Sequence, residues 1–391
     1  MPSIPKLGRL VSAVAPDRRS VRRFLLSVEG WPYLLVPFIP LAIGLSIGGA
    51  SAAITFFASA LGVVPTAALM GRATEELAER SGPGIGGLLN VTFGNAPELI
   101  IALFALGEGL HEVVKASLVG SVLGNILLVL GAAMLVGGIR NPPRQRFDRT
   151  AASAQSSLLL LSASAIGLVA AFQLIERASL PGPNAERMDF GVAVERFSFA
   201  IAVIMVLIYA AYLVFSLRTH RALFNPAQEP DGEHAANEPW TVRRSVLLLA
   251  LAGVAVGVMS EILVGSVHAA AESIGLSEFF IGAIVIAIVG NAAEHWVAVL
   301  VAAKNKMDLA VNIAIGSSAQ IAIFVMPLLV VLSWLIGPGP MPLVFNGLEV
   351  VGVVVAVLIA NQVTNEGEST WFEGLLLLSV YAVLGLAFAF A

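Results

Sequence analysis

The sequence predicts an all-α polytopic membrane protein with about eleven transmembrane helices, arranged as one N-terminal helix and two inverted five-helix repeats. Of the 391 residues, 58% are hydrophobic and only 12% are charged, whereas a soluble protein is about 25% charged. About eleven apolar segments reach the roughly 20 residues that a helix needs to cross a bilayer. These segments do not alternate polar and apolar residues as membrane barrels do, so helices are expected.

The predicted spans follow one another along the chain and cover residues 31–50, 52–71, 83–107, 115–138, 151–174, 192–217, 245–270, 278–303, 308–336, 341–361 and 371–391. Proline and glycine clusters mark several of the connections between them. The predicted organisation has five parts: a cytoplasmic tail at 1–30, a first helix at 31–50, a five-helix repeat at 51–217, a cytoplasmic linker at 218–244 and a second five-helix repeat at 245–391.

An internal repeat relates the two halves. Adding 196 to the positions of segment 86–121 takes Gly94-Asn95-Ala96-Pro97-Glu98 to Gly290-Asn291-Ala292-Ala293-Glu294, and no gap is needed. An odd number of spans in each unit places the second unit upside down relative to the first. Secondary transporters built in this way hold their ions near the membrane midplane, at the interface of the repeats.

Basic residues in short loops predict the orientation, since lysine and arginine concentrate on the cytoplasmic side. The richer side has the N-terminal tail, the loop after the second span, the loop 140–149, the linker 218–244 and Lys304 and Lys306. The opposite loops hold fewer, including Lys115. We therefore expect a cytoplasmic N-terminus and a C-terminus across the membrane. The short tail and linker favour a bacterial cytoplasmic membrane over a vacuolar one.

Each copy of the repeated motif places a glutamate deep inside an apolar span. An unpartnered charge there costs about 2.5–3.5 kcal/mol on the insertion scale, so such an acid is by default a functional residue. Asparagine and glutamate three positions apart share a helix face. The candidate ion-binding residues are Gly94, Asn95, Glu98, Gly290, Asn291 and Glu294. Only the first copy contains a proline, so we expect its helix to be the more sharply broken.

Polar side chains in neighbouring spans are candidates for a supporting role. They are Ser121 and Asn125 in the fourth span, Ser317, Ser318 and Gln320 in the ninth, and Glu261 in the seventh. We expect them to orient the two carboxylates, although small residues such as serine also occur where membrane helices merely pack. Glu261 could equally line an aqueous vestibule.

Two carboxylates with neutral oxygens nearby suit a hard cation such as Ca²⁺, which takes six to eight oxygen ligands, but they leave Na⁺ and K⁺ open. Two buried carboxylates that face each other cannot both stay ionised without a cation. They are satisfied by protons or by a divalent ion. If only satisfied states can pass through the occluded conformation, movement of the ion in one direction requires protons to move in the other.

The motif pair GNAPEL and GNAAEHW, followed by GSVLGN and GSSAQ, resembles the cation/proton exchanger (CAX) family of calcium/cation antiporters. The resemblance covers residue 31 to the end. It implies an eleven-helix antiporter that expels Ca²⁺ against H⁺, with Glu98 and Glu294 as shared binding groups and with transported ions rather than a cofactor. Some members have a strongly acidic regulatory segment between the halves, whereas the linker here has only scattered acids.

Other functions remain as alternatives. The same machine could exchange Na⁺ or K⁺ for H⁺, or Na⁺ for Ca²⁺. A cation channel is disfavoured because channels usually build a ring of carboxylates by oligomeric symmetry. A membrane enzyme is disfavoured because the spans contain no HExxH, Cys/His or GxSxG pattern. The absence of cysteine excludes disulfides and thiolate metal sites. The net charge of −4 disfavours nucleic acid as a partner. The expected partner is the lipid bilayer.

Overall fold

The computed structural model describes residues 24, 27, 30–81, 86, 88–89, 92–183, 190–220 and 240–391. Most of the predicted tail 1–30 and most of the linker 218–244 therefore lie outside the described residues. Within the described part, nine helices are long and apolar enough to cross a membrane, and two shorter apolar helices accompany them. The prediction of an all-helical membrane protein with about eleven spans is confirmed.

We number these helices in chain order: α1 (Trp31–Ile47), α2 (Ala52–Arg80), α3 (Ala96–Gly107), α4 (His111–Arg140), α5 (Arg149–Arg177), α6 (Val192–Thr219), α7 (Val242–Ile274), α8 (Glu278–Ala303), α9 (Met307–Leu332), α10 (Gly347–Glu366) and α11 (Trp371–Ala389). α1 opens with a 3₁₀ segment at Trp31–Leu35. α2 and α7 occupy equivalent places in the two repeats and pack along each other, and α4 and α9 are the most completely buried spans, together with α2.

α10 begins later than predicted. The predicted span starts at residue 341, but the helix starts at Gly347, and the six preceding residues form a buried non-helical segment. Two prolines in this region disfavour helical conformation in the residues before them. The Asn346 side chain then caps the helix by accepting from the Glu349 N–H, and the Asn346 N–H donates to the Glu349 carboxylate, which completes a capping box.

Three spans contain π-helical turns close to the repeated motifs. The turns lie at Gly124–Val129 in α4, Ile281–Ile286 in α8, and Asn312–Gly316 and Ile321–Val325 in α9. A π turn holds an additional residue, so it changes the direction of the side chains that follow, and such turns occur frequently at functional sites. The sequence pattern did not indicate them.

Contacts between loops show which connections share a side of the bundle. Two short strands, β1 (Gln145–Arg146) and β2 (Glu368–Ser369), pair antiparallel and join the α4–α5 and α10–α11 connections. Gln145 Nε2 donates to the Ala302 carbonyl oxygen at 2.9 Å, so the end of α8 lies beside these two connections. A hydrogen bond from Arg144 holds the pKa of the Glu368 carboxyl below its ordinary value. These connections lie on one side, as alternating crossings require.

Lys115 is not the loop residue that the sequence predicted. α4 begins at His111, four residues before the predicted start, so Lys115 lies within the helix and is only 1% exposed. Its ammonium donates to the Val344 carbonyl oxygen at 2.8 Å and pairs with Glu112 at 2.6 Å. The rings of Phe190 and Phe345 lie against the charge, at 5.4 and 6.0 Å.

Candidate ion-binding site

The two motif helices differ at the motif itself. α3 begins only at Ala96, after a turn formed by Gly94 and Asn95. Pro97 lies in the first turn, where its missing N–H leaves no helical bond unmade. In α8 the α-helix runs without interruption from Ala287 to Ala303. The expectation that the proline-containing span is the more sharply broken is confirmed.

Glu98 lies in the first turn of α3, where the partial positive charge of a helix N-terminus favours a carboxylate. Its side chain is buried against α8. A Cβ added to Gly290 would lie 3.4 Å from Glu98 Oε1, in ordinary contact, so the absence of a side chain at Gly290 leaves open space beside the carboxylate. The second oxygen, Glu98 Oε2, is buried and has no hydrogen-bond partner among the described residues.

The asparagines of the two motifs reach across to the opposite half. Ser317 Oγ donates to Asn95 Oδ1 at 2.8 Å, and Asn291 Nδ2 donates to Ser121 Oγ at 3.1 Å. Adding 196 to Asn95 gives Asn291, and subtracting it from Ser317 gives Ser121. The same pair of residues therefore joins the halves twice, once in each direction.

The two amides are nevertheless used differently. Asn95 has both side-chain atoms engaged, because its Nδ2 donates to Gln320 Oε1 at 2.8 Å. Asn291 Nδ2 also donates to the Ala287 carbonyl oxygen at 3.0 Å, but Asn291 Oδ1 is buried and lacks a donor among the described residues. Buried oxygens without a partner are uncommon and require an explanation. Asn291 Oδ1 and Glu98 Oε2 could each accept a hydrogen bond from a donor group or coordinate a cation.

Glu294 lies on the more open side of this arrangement. Its side chain is partly exposed, as are those of Ser317 and Gln320, while Ser121 and Asn291 are buried. Ser317 is within hydrogen-bonding reach of Glu294, and Glu75 at the end of α2 is close enough to act on it electrostatically.

A small cavity lies beside Glu98, and its lining residues include Ser117, Ser121 and Gly290. Among the described residues, no three histidine, aspartate or glutamate side chains form a metal-holding group.

A family model described as sodium/calcium exchanger protein matches two parts of the chain, residues 51–218 and 244–390. The chain belongs to the sodium/calcium exchanger family. The resemblance to calcium/cation antiporters that the motifs indicated is confirmed.

Several curated proteins related to this family member are named antiporters. The Ca²⁺/H⁺ antiporter ChaA of Bacillus subtilis is 44% identical over 355 residues, which cover 91% of this chain and 97% of ChaA. A Ca²⁺/H⁺ antiporter of Synechocystis is 44% identical over 375 residues, 91% of this chain and 96% of the relative. The vacuolar cation/proton exchanger 1a of rice is 42% identical and covers 91% of this chain and 79% of its own.

Solved structures within this family have the same architecture. Native YfkE is 40% identical, with a TM-score of 0.75 over 92% of this chain and all of its own. The H⁺/Ca²⁺ exchanger CAX gives a TM-score of 0.67 at 16% identity and covers 94% of this chain and 93% of its own, a likeness of fold alone.

The remaining predicted residues have separate places in this exchanger fold. Asn125 Oδ1 contacts His295 Nε2 at 2.9 Å, which ties the π turn of α4 to the residue after Glu294. Ser318 Oγ donates to the Ala314 carbonyl oxygen at 2.8 Å, within its own helix, and is fully buried. Glu261 is exposed on α7 and does not line the cavity among the described residues. The structure therefore does not bring Ser318 or Glu261 to the two carboxylates.

One contact beside the site joins Asn312, a polar residue of the predicted ninth span, to Gln155, which the sequence did not indicate as a site residue. Gln155 Nε2 on α5 donates to Asn312 Oδ1 on α9 at 2.6 Å. Neither residue has a polar equivalent in the other half, since the matching positions are Val351 and Ala116. A search for repeated motifs therefore passes over this pair, and its only signal in the sequence is an amide side chain within each of two apolar spans.

Proposed function

We propose that this protein exchanges Ca²⁺ for H⁺ across a membrane by alternating access, at a midplane site formed by Glu98 and Glu294. The observation that carries the proposal is a group of oxygens from the two halves that lack full partners. Among the described residues, Glu98 Oε2 and Asn291 Oδ1 are both buried without a donor. Glu98 shares a cavity with Ser121, and Asn291 is hydrogen-bonded to it.

The chemistry of these groups suits alternate occupation by a cation and by protons. A charged carboxylate buried without a partner is costly, so Glu98 is stable when it carries a proton or when a cation lies against it. Ca²⁺ binds six to eight oxygens at about 2.3–2.6 Å and accepts carboxylate, amide, hydroxyl and water oxygens together. The two carboxylates together match its charge. Ca²⁺ and H⁺ are thus the transported ions, and the mechanism requires no resident cofactor.

The repeat contacts support the alternating mechanism. We infer two inverted units, residues 51–217 and 245–391, preceded by a helix at 31–50 and a tail at 1–30, and joined by a linker at 218–244. The site lies where the units meet, and each unit contributes one glutamate, one asparagine and one serine. Relative movement of the units would open the same groups to each side in turn.

The relatives support Ca²⁺ and H⁺ as the ions, since two with 44% identity over most of their lengths are named Ca²⁺/H⁺ antiporters. We place the protein in a bacterial cytoplasmic membrane, with its N-terminus and linker in the cytoplasm. Basic residues in the connections on that side support the orientation. Glu294 and Ser317 are partly exposed, and we infer that the site is open to the cytoplasm.

The function is tested with purified protein in liposomes that contain a pH-sensitive dye. Ca²⁺ added outside should enter in exchange for internal protons, so the interior becomes alkaline at a rate that depends on the Ca²⁺ concentration. Alkalinisation driven by Na⁺ or K⁺, with no response to Ca²⁺, would replace the proposal by a monovalent cation exchanger. Ca²⁺ entry that requires internal Na⁺ would indicate Na⁺/Ca²⁺ exchange, and Ca²⁺ current without proton movement would indicate a channel.

A further inference from the structure

The polar residues that α9 contributes to the site lie on a short helical segment between two π turns. The segment Ser317–Gln320 has four residues, and the turns Asn312–Gly316 and Ile321–Val325 flank it directly. Its first and last residues, Ser317 and Gln320, are the ones that bond Asn95. Because one residue corresponds to about 100° of rotation in a helix, the form of the preceding π turn decides whether these side chains face Asn95.

Gln155 holds the first of these turns. Its Nε2 donates to Asn312 Oδ1, the residue that opens the turn, at 2.6 Å. A Cβ added to Gly316, which closes the turn, would lie 3.1 Å from Gln155 Nε2 and 3.3 Å from Asn312 Oδ1. The amide of Gln155 therefore lies against the backbone immediately before Ser317. Gln155 is 8% exposed, so water does not readily replace it.

Residues of α6 support the same arrangement. Tyr212 on α6 lies close enough to Gln155 for the two side chains to interact. Tyr209, one turn earlier, stacks on Phe324 in the second π turn with ring centroids 4.7 Å apart and an interplanar angle of 19°. Both turns that flank Ser317–Gln320 thus have a lateral partner from the α5–α6 pair.

We propose that Gln155 is a positioning residue that sets the affinity and ion preference of the site by fixing the direction of Ser317 and Gln320. The inference rests on the proposed exchange function. Gln155 touches neither glutamate among the contacts described, and it acts through Asn312 and Gly316. Adding 196 to the position of Gln155 gives the apolar Val351. The Gln155–Asn312 bond therefore acts on one side of the site, the side on which Asn95 has both amide atoms engaged.

The test breaks the Gln155–Asn312 bond from each end and measures exchange against ion concentration in liposomes. Gln155→Leu and Asn312→Leu should each raise the KM for Ca²⁺ about five- to tenfold, the effect of one lost side-chain hydrogen bond. The ratio of the KM values for Ca²⁺ and Sr²⁺ should also change, while the maximal rate per folded molecule stays within about twofold of the parent. The double variant should be no worse than either single variant, because both remove the same interaction.

Gln173→Leu is the matched control. Gln173 is also a buried glutamine of α5, at 1% exposure, but its Nε2 bonds the Ser179 carbonyl oxygen near the helix end. It should leave the KM and the Ca²⁺/Sr²⁺ ratio unchanged. Equal behaviour of the Gln155 and Gln173 variants, or effects of Gln155→Leu and Asn312→Leu that multiply, would overturn the proposal. If Gln155→Leu fails to fold, Asn312→Leu gives the same readout, since Asn312 is exposed.

A second readout does not depend on transport. The sequence has no cysteine, so Ser317→Cys introduces a single thiol at the segment in question. Its rate of reaction with a thiol reagent should change when Gln155→Leu is added and stay the same when Gln173→Leu is added. An unchanged rate with Gln155→Leu contradicts the positioning role. Absence of Ca²⁺-driven proton flux in the parent protein, with the labelling difference intact, would reject the proposed function and leave the positioning role in place.

Discussion

Ser317 donates a hydrogen bond of 2.8 Å to Asn95 across the interface of the two halves, and their repeat equivalents, Ser121 and Asn291, are bonded at 3.1 Å. The halves therefore hold each other by the same pair of side chains in both directions. The symmetry does not extend to the amide oxygens. Asn95 uses both of its amide atoms, whereas Asn291 Oδ1 has no donor in the part of the chain that the structure describes. We infer that the two asparagines have different roles: Asn95 holds α9 in position, and Asn291 provides an oxygen ligand for the ion.

Replacing either motif glutamate by glutamine should abolish Ca²⁺-driven proton flux. Glu98→Gln and Glu294→Gln keep the size of the side chain but remove the negative charge and the titrating proton. If the site is shared, one remaining carboxylate cannot balance a divalent ion. Flux in liposomes checks the result, and thermal unfolding in detergent shows that the variants remain folded. Glu261→Gln, at an exposed acid on α7, should exchange normally. Exchange retained by either motif variant would refute the shared site.

Gly290→Ala should weaken the site without removing any charge. The added Cβ would lie 3.4 Å from Glu98 Oε1, at the limit of ordinary contact, and would occupy space beside the carboxylate. A cation that approaches Glu98 from the side of α8 would meet this methyl group, so we expect the affinity for Ca²⁺ to fall about tenfold, which is about 1.4 kcal/mol. The concentration dependence of flux in liposomes measures it.

Gly265→Ala on α7 is the control for Gly290→Ala, because no atom lies within 4 Å of its added Cβ. Alanine is favoured over glycine inside a helix by roughly 0.5–1 kcal/mol. The control should therefore exchange like the parent and unfold at the same or a slightly higher temperature. An unchanged affinity in Gly290→Ala would mean that the ion does not approach Glu98 from the side of α8.

The spans and the motif pairing were predictable because they depend on long-range regularities of the sequence. Apolar length alone indicates the helices, and the constant offset of 196 pairs Asn95 with Asn291 and Glu98 with Glu294. The bend of α3 followed from Pro97, whose ring and missing N–H act locally. These features are set by single residues or by the bilayer.

The unpredicted features depend on contacts between segments that are distant in the sequence. Lys115 was predicted to lie in a loop. It is buried instead, and its burial depends on a hydrogen bond to Val344, 229 positions later. The Gln155–Asn312 bond joins α5 to α9 over 157 positions and has no repeated counterpart. The π turns of α9 have no local sequence signature, because the lateral partners that accompany them come from other helices. No pattern within a span reveals such pairings.

Labelling of single cysteines should show from which side the site is open. Ser317 and Ser121 are repeat equivalents, yet Ser317 is partly exposed and Ser121 is 3% exposed. In the cysteine-free chain, Ser317→Cys should react with a membrane-impermeant thiol reagent and Ser121→Cys should not. The reagent should act from the side that carries residues 304–306. Equal reaction of both thiols, or reaction of Ser121→Cys alone, would contradict a site open to that side.

Lys115→Met should destabilise the fold without altering the ion site. The ammonium is buried and bonds Val344 O at 2.8 Å and Glu112 Oε1 at 2.6 Å, so its loss leaves a carbonyl and an acid without their cation. Hydrogen bonds to charged groups contribute about 1.5–3 kcal/mol each, and we expect a loss of about 2–3 kcal/mol. A lower unfolding temperature in detergent measures it, while the KM for Ca²⁺ of the folded fraction stays at the parent value.

Two further variants separate the buried pair from the general effect of a lost lysine. Lys306→Met replaces an exposed lysine. It should change the stability by no more than about 0.5 kcal/mol, as surface substitutions usually do, and so leave the unfolding temperature almost unchanged. Adding Glu112→Leu to Lys115→Met removes the unpaired acid and should restore part of the stability, because the main penalty of a broken buried pair is the charge left behind. The bond from Lys115 to the Val344 carbonyl should hold segment 341–346 against α4. Equal unfolding temperatures of Lys115→Met and Lys306→Met would contradict this, and so would a further loss of stability when Glu112→Leu is added.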